Sequence, residues 1–411
     1  MRRIRNLKDV VDWGLCTGCG ACASVCSKPG IRLVNIEGVG IRPKFDSDEC
    51  AECSACLSVC PGYQVDGRMA TGPKETLTSA ENEFGSVLEI WEGYATDPEI
   101  RHRASSGGAL SGLALYCLER GGMEFVLHSA ADPVKPWLNR TVKSKNREEI
   151  IGRTGSRYAP ASPCDGLKSI EDSERPCVFI GKPCDTAAAF KMRAIRPALD
   201  QKLGLVLSFF CAGTPSTRGT LDLVTSLDFQ TDQVRTLHYR GQGWPGRFTV
   251  GNGDGSEKSL SYSESWGALT KYRPQRCHIC PDGLGRIADI SCGDAWDKFE
   301  ENGDPGRSLI LVRTPRGQEV LRRAIDAGYV SAVPTNAAQV LSAQSNLLAR
   351  RREIFGRLLG MKLLGVPSPR LDGFSLLRSW LTLPLKTQAR TIAGTMTRLV
   401  QKGRWRRQPV F

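Results

Sequence analysis

Apolar positions along this chain follow two rhythms. Short, mostly apolar runs stand at Leu88-Glu89-Ile90-Trp91, Phe125-Val126-Leu127, Val178-Phe179-Ile180, Leu205-Val206-Leu207-Ser208-Phe209-Phe210, Arg247-Phe248-Thr249-Val250 and Leu309-Ile310-Leu311-Val312. Each reads as a strand. Between them, Leu110, Leu113, Ala114, Cys117 and Leu118 recur at steps of three and four, which predicts a helix from Ala109 to Arg120 stopped by Gly121-Gly122. Helical patterns also cover Thr186 to Arg193 and, after Pro215, Ser216 to Leu227. Strand, turn and helix in succession predict an α/β body with some parallel sheet. The pattern lapses from Asp66 to Phe84, which reads as a linker or covering loop. Beyond Arg350, leucines such as Leu358, Leu363, Leu376 and Leu381 alternate with Arg and Lys in the manner of basic amphipathic helices. The expected architecture is α+β to α/β: a cysteine-rich module at 1–75, a linker at 76–87, a body in two parts at 88–170 and 171–345, and a basic helical tail at 346–411.

Composition narrows this picture. The 411 residues are 40% hydrophobic and 24% charged, as in soluble globular proteins, and leave room for a small module plus a larger cored domain. No apolar run is long enough to predict a membrane-spanning helix. The opening Met1 to Asn6 is basic but has no apolar segment behind it, so no secretory signal is expected. With cysteines arranged to hold clusters, the expected location is a reducing compartment, the cytoplasm. The net charge is +13, yet from Arg350 onward there are 14 Lys/Arg against 2 Asp/Glu, which leaves +1 for the preceding 349 residues. A nearly neutral body argues against nucleic acid as a partner. The tail fits either peripheral contact with an anionic membrane or a helical pair docked on the body or on a partner subunit.

Half of the 16 cysteines fall in two copies of one spacing: Cys16, Cys19, Cys22, Cys26 and Cys50, Cys53, Cys56, Cys60, the second followed by Pro61. Three cysteines at steps of three, with a fourth further on, is the pattern of two-cluster [4Fe-4S] ferredoxins, in which the fourth cysteine of each run reaches the other cube. One cluster then takes Cys16, Cys19, Cys22 and Cys60, and the other Cys50, Cys53, Cys56 and Cys26. Zinc sites usually present two well-separated cysteine pairs instead. Four more cysteines stand at loop positions. Cys184 and Cys211 each lie just past a buried strand, where open α/β sheets place their ligands, and Cys277 and Cys280 form a C-x2-C pair. Four thiolates are what a third [4Fe-4S] cube requires, and equally what a zinc ion or a set of unrelated thiols would show. Cys164, Cys177 and Cys292 receive no role, and the four histidines show no ligand spacing.

Other segments are suggestive. Ser105-Ser106-Gly107-Gly108 opens a helix and offers hydroxyls and backbone N–H groups to an anion, or is a plain serine cap. Gly241-Gln242-Gly243-Trp244-Pro245-Gly246 matches a dinucleotide fingerprint by letter, but Pro245 and the strand that follows reject that fold. The segment remains a glycine loop bearing Arg240 and Trp244, whose ring either stacks on a planar ligand or fills a turn. Asp289 and Asp294 lie near the cysteine pair, where they serve acid–base chemistry or cap turns.

Taken in order, Ser105-Ser106-Gly107-Gly108, Gly181-Lys182-Pro183-Cys184, Arg240 to Gly246, Cys277-x2-Cys280-x-Asp282 and Ala288-Asp289-Ile290-x2-Gly293-Asp294 resemble the beta-subunit family of coenzyme F420 hydrogenases and dehydrogenases over about residues 10 to 345. The resemblance implies a two-cluster ferredoxin-type domain, a mixed α/β flavin-binding body, FAD, and iron–sulfur clusters including an inner one on Cys184, Cys211, Cys277 and Cys280. It implies an oxidoreductase passing electrons between F420 or another small organic substrate and a redox partner protein or ferredoxin. Ser105, Ser106, Gly107, Gly108, Lys182, Arg240, Gly243, Trp244, Asp289 and Asp294 become candidate cofactor contacts. The alternative from another class is a non-catalytic iron–sulfur electron-transfer subunit docking on a separate dehydrogenase.

Overall fold

The computed structural model describes residues 2–27, 30–45, 54–68, 81–298 and 305–411. An eight-stranded sheet runs through the body in the order Val330–Pro334, Glu89–Ala95, Ser308–Val312, Ile290–Asp294, Leu203–Phe209, Cys177–Gly181, Val126–Ala131 and Asn139–Ser144. The four strands from Ile290–Asp294 to Val126–Ala131 are mutually parallel, and each strand outside them runs antiparallel to its inner neighbour. Continuous apolar sequence explains the centre. Every residue of Cys177–Gly181 is buried, as expected of a parallel strand covered on both faces.

The two faces bury different partners. Val178, Leu205, Ile290 and Val312 pack on one side with Leu113 and Cys117 of the helix Ala109–Glu119 and with Leu321 and Ala324 of the helix Pro315–Asp326. Phe179 and Val206 pack on the other with Ala188 and Met192 of the helix Pro183–Arg193, and that cluster also contains Cys19, Ala21 and Val59. The cysteine-rich module is therefore seated directly on one face of the sheet. A smaller antiparallel sheet of Val234–His238, Arg247–Asn252 and Glu257–Ser261 stands beside the body, so the segment after the glycine loop is a strand, as its sequence predicts.

Within the module, the hairpin Ile31–Ile36/Gly40–Phe45 accompanies short helices at Ala21–Val25 and Ala55–Ser58. Its last strand, Gln64–Asp66, pairs in parallel with Arg370–Asp372 from the far end of the chain. The tail is thus docked on the module. Met361 and Leu399 are fully buried with Val10, Leu15, Cys22 and Cys60, and Arg407 pairs with Asp9 and Asp12. Among the described residues, no helix is long and apolar enough to cross a membrane. Near the end of the stretch expected as a linker, Phe84 is fully buried among Leu284, Leu309 and Leu311. The buried Arg313 donates to the carbonyls of Phe84, Ser86 and Leu284, fixing the chain where it enters the body. Residues 69–80 of the linker lie outside the described residues.

Candidate functional site: two adjoining cavities beside the cysteine module

The first cysteine run curls tightly because Gly18 and Gly20 take left-handed backbone, at φ 73° and 90°. A Cβ on Gly20 would lie 2.9 Å from the amide nitrogen of Asp165, so this loop is pressed against the body. Ser162 donates to the Gly18 carbonyl at 2.6 Å, and the Cys164 amide donates to the Cys19 carbonyl at 3.0 Å. Cys16, Cys22 and Cys60 share one buried cluster with the half-buried Cys56. Burial, then the neighbouring cysteines, pushes the Cys60 thiol up to about 12 and Cys22 well above its usual range. Cys19 goes the other way. A hydrogen bond from the Cys164 thiol, the largest influence, lowers it against the effect of burial. Cys26 is half-buried, and Cys50 and Cys53 lie outside the described residues.

Cys184 sits in the first turn of Pro183–Arg193, Cys211 just beyond Leu203–Phe209, Cys277 on the short helix Gln275–His278, and Cys280 two residues after it. All four line one cavity, with Thr17, Gly18 and Arg42 of the cysteine module on its far wall. The close approach of the loops needs glycine at 213, where a Cβ would meet the Arg273 side chain at 2.6 Å. Among the described residues, no three metal-ligating side chains converge on a point where one ion could bind. A cube does not demand that, since it takes one thiolate at each iron and spreads its ligands apart. Burial raises Cys184 and Cys280 and carries Cys211 to about 12.

Among the described residues, three arginines that line this cavity bear buried N–H groups with no acceptor: Nε of Arg42, Nε and Nη1 of Arg276, and Nε of Arg351. Unpaired donors on buried cations are costly, and an anionic core held by four thiolates is the group that would satisfy them. The residues fit an iron–sulfur cluster.

A second cavity, of about 1040 Å³, opens at the carboxyl ends of the parallel strands. Of the residues singled out in the sequence, Ser105, Ser106, Gly108, Lys182, Arg240 and Asp294 line it. Gly108 begins the helix Ala109–Glu119 in left-handed backbone with no cap from its own side chain, and the Ala109 amide donates to the Ser308 hydroxyl at 3.4 Å. Ser105 accepts from the Ser156 amide at 2.7 Å, and Ser106 shares a hydrogen bond with Ser308 at 2.8 Å. Lys182 is buried on Asp185 at 2.7 Å. Arg240 is held bidentately by Asp294, at 2.7 and 3.1 Å, with its guanidinium over Tyr262 and Trp296.

Four candidates stand elsewhere. A Cβ on Gly107 would lie 2.7 Å from the Gly93 carbonyl, so that glycine serves packing. The Gly243 amide bonds the His102 carbonyl. Trp244 donates to Asp294 and packs at a tilt against Trp296, outside the lining, where the aromatic rings are those of Tyr158, Phe209, Phe210, Tyr262, Trp266 and Trp296. Asp289 is engaged inside the fold by the Val206 amide and the Thr314 hydroxyl. No sequence pattern pointed to Arg350, a tail residue that lines both cavities and donates to the carbonyls of Ala212 and Cys277. Cys211, Ala161, Gly213, Thr214 and Leu347 likewise belong to both walls.

A ferredoxin-type module seated on an α/β body, with thiols gathered where the two meet, defines an iron–sulfur redox protein. The chain belongs to the coenzyme F420 hydrogenase/dehydrogenase beta-subunit family: the family's N-terminal model matches residues 90–168, its C-terminal model residues 175–338, and a 4Fe-4S dicluster domain residues 15–63. It is 26% identical over 262 residues to the coenzyme F420 hydrogenase subunit beta of Methanosarcina barkeri, covering 61% of this chain and 83% of that one. It is 24% identical over 300 residues to the coenzyme F420 hydrogenase subunit beta of Methanothermobacter thermautotrophicus, covering 70% and 99%. A chain of the F420-reducing [NiFe] hydrogenase complex from Methanosarcina barkeri shares the fold, with a TM-score of 0.54 at 21% identity over 70% of this chain and 97% of that one. The dicluster domain makes this an iron–sulfur protein, and the family makes its role that of an oxidoreductase subunit with a redox partner protein.

Proposed function

We propose that this chain is a flavin- and iron–sulfur-dependent oxidoreductase subunit that exchanges electrons between a two-electron organic carrier of the F420 type and [4Fe-4S] clusters. Three clusters are assigned: two in the module, on the ligand sets given above, and one on Cys184, Cys211, Cys277 and Cys280. The single observation that carries this reading is the wall shared by the two cavities, with Cys211 in both. A large ligand at the strand ends is thereby brought against the four-thiol site. When bound, FAD supplies the exchange between electron pairs and single electrons.

The residues of the larger cavity suit that cofactor. Its volume matches a dinucleotide-sized ligand, the glycine-led start of Ala109–Glu119 on its wall suits phosphate, and Tyr158 and Trp266 add aromatic surface to the lining. Asp294 holds Arg240 at a fixed place on that wall.

Anaerobic purification followed by iron, sulfide and flavin analysis tests the reading, and oxidation of reduced F420 with a dye acceptor tests the carrier. Clusters without flavin would favour instead an electron-transfer subunit docking on a separate dehydrogenase. That alternative has support in the relatives, which are named as subunits of larger enzymes. With three equal cubes, Cys184→Ser or Cys280→Ser removes about a third of the iron. Unchanged iron in both variants would dismiss the inner cluster.

A further inference from the structure

Arg276 is 2% exposed and stands on the short helix that carries Cys277. Its Nη2 donates to the Pro61 carbonyl at 3.2 Å, and Pro61 follows Cys60 of the cysteine module. Its Nε and Nη1 are buried and find no acceptor among the described residues, and the side chain lines the cavity of Cys184, Cys211, Cys277 and Cys280. Among the described residues, no carboxylate lies within ion-pair distance of it. The carboxylate in that wall, Asp282, instead accepts from the amides of Leu284 and Arg286.

A guanidinium in a dry place with donors left over demands an anion. On one side it touches the backbone beside Cys60, and on the other it faces four thiols. Thr17 and Gly18, between Cys16 and Cys19, line the same cavity, so the module approaches through this cysteine set.

We infer that Arg276 is the cationic junction between two electron-carrying sites, the module cluster held through Cys60 and the inner cluster, and that its charge sets the inner cluster's potential. The inference rests on the assignment of a cluster to the four inner cysteines. Reduction adds negative charge to a cube, and a fixed positive charge in a low-dielectric wall stabilises the reduced form. Donors aimed at cluster sulfurs act in the same direction. Arg276 is accordingly a positioning residue: it ties the module to the body and favours the electron's arrival at the inner site.

The test is an EPR-monitored redox titration of the full chain, reconstituted anaerobically, as wild type, R276Q, R276M and R276K. Cys280→Ser identifies the inner signal as the one that disappears; if no signal and no iron is lost there, the cluster assignment itself has failed, independently of Arg276. With the signal assigned, R276Q and R276M should keep their iron and shift the inner midpoint potential to more negative values, while R276K should restore it toward wild type. An unmoved inner potential in either neutral variant that keeps its iron, a lysine variant shifted as far as the neutral ones, or loss of iron from both neutral variants overturns the inference.

Discussion

His128 shows what the body asks of a single side chain. It stands on the strand Val126–Ala131, lines the large cavity, and shares a 2.7 Å hydrogen bond with the Ser144 hydroxyl. Burial first, then the charge of Arg153, lowers its pKa from 6.5 to about 4, with Glu149 opposing. The folded protein therefore binds this proton less readily than the unfolded chain between pH 4 and 6.5, and stability falls as the pH drops through that window. At about 1.4 kcal/mol for each tenfold change in proton affinity, the full loss is about 3 kcal/mol, with about 2 kcal/mol gone by about pH 5. Urea denaturation at about pH 7 and about pH 5 should show this extra slope in wild type and not in His128→Gln, which keeps a partner for Ser144.

At the scale of elements, the Arg240 to Gly246 loop is built by close approach. A Cβ on Gly241 would stand 2.3 Å from the Arg103 carbonyl, whereas one on Gly243 would meet nothing within 4 Å. Both glycines are left-handed, at φ 102° and 97°. Gly243→Ala should cost only the backbone strain, about 1–2 kcal/mol. Gly241→Ala should cost clearly more, because a carbonyl must move, and thermal denaturation of the two variants gives the comparison. The loop also marks where sequence reading stopped. Apolar runs ending in cysteine made the strands before Cys184 and Cys211 legible, since a parallel strand is locally encoded by its continuous burial. Which of two neighbouring tryptophans faces a cavity is decided by Gly306, Asp294 and Tyr262, residues far along the chain, and no local period reports it. Phe84 was missed for a related reason. One aromatic after a patternless stretch carries no periodicity, and its burial depends on Leu284, Leu309 and Leu311, far later in the chain.

For the whole molecule, the basic tail is legible as amphipathic helices, and docking on the rest of the chain is one of the destinations its sequence allows. Three of its arginines turn inward, Arg350 to the cysteine loops, Arg351 to the Phe374 carbonyl and Arg357 to the carbonyl of His278. Leu399, only 1% exposed, closes the cluster that contains Cys22 and Cys60. Leu399→Ala should lose about 2–5 kcal/mol, as buried leucine truncations do, and release module iron at lower urea than wild type. Iron release unchanged in that variant would mean the module holds its clusters without the tail. The parallel pairing of Gln64–Asp66 with Arg370–Asp372 has a temporal side as well. A ribosome makes the cysteine runs first and their covering strand and helices last. The thiols of the module consequently lack their finished enclosure for as long as the body between them and that cover is being made.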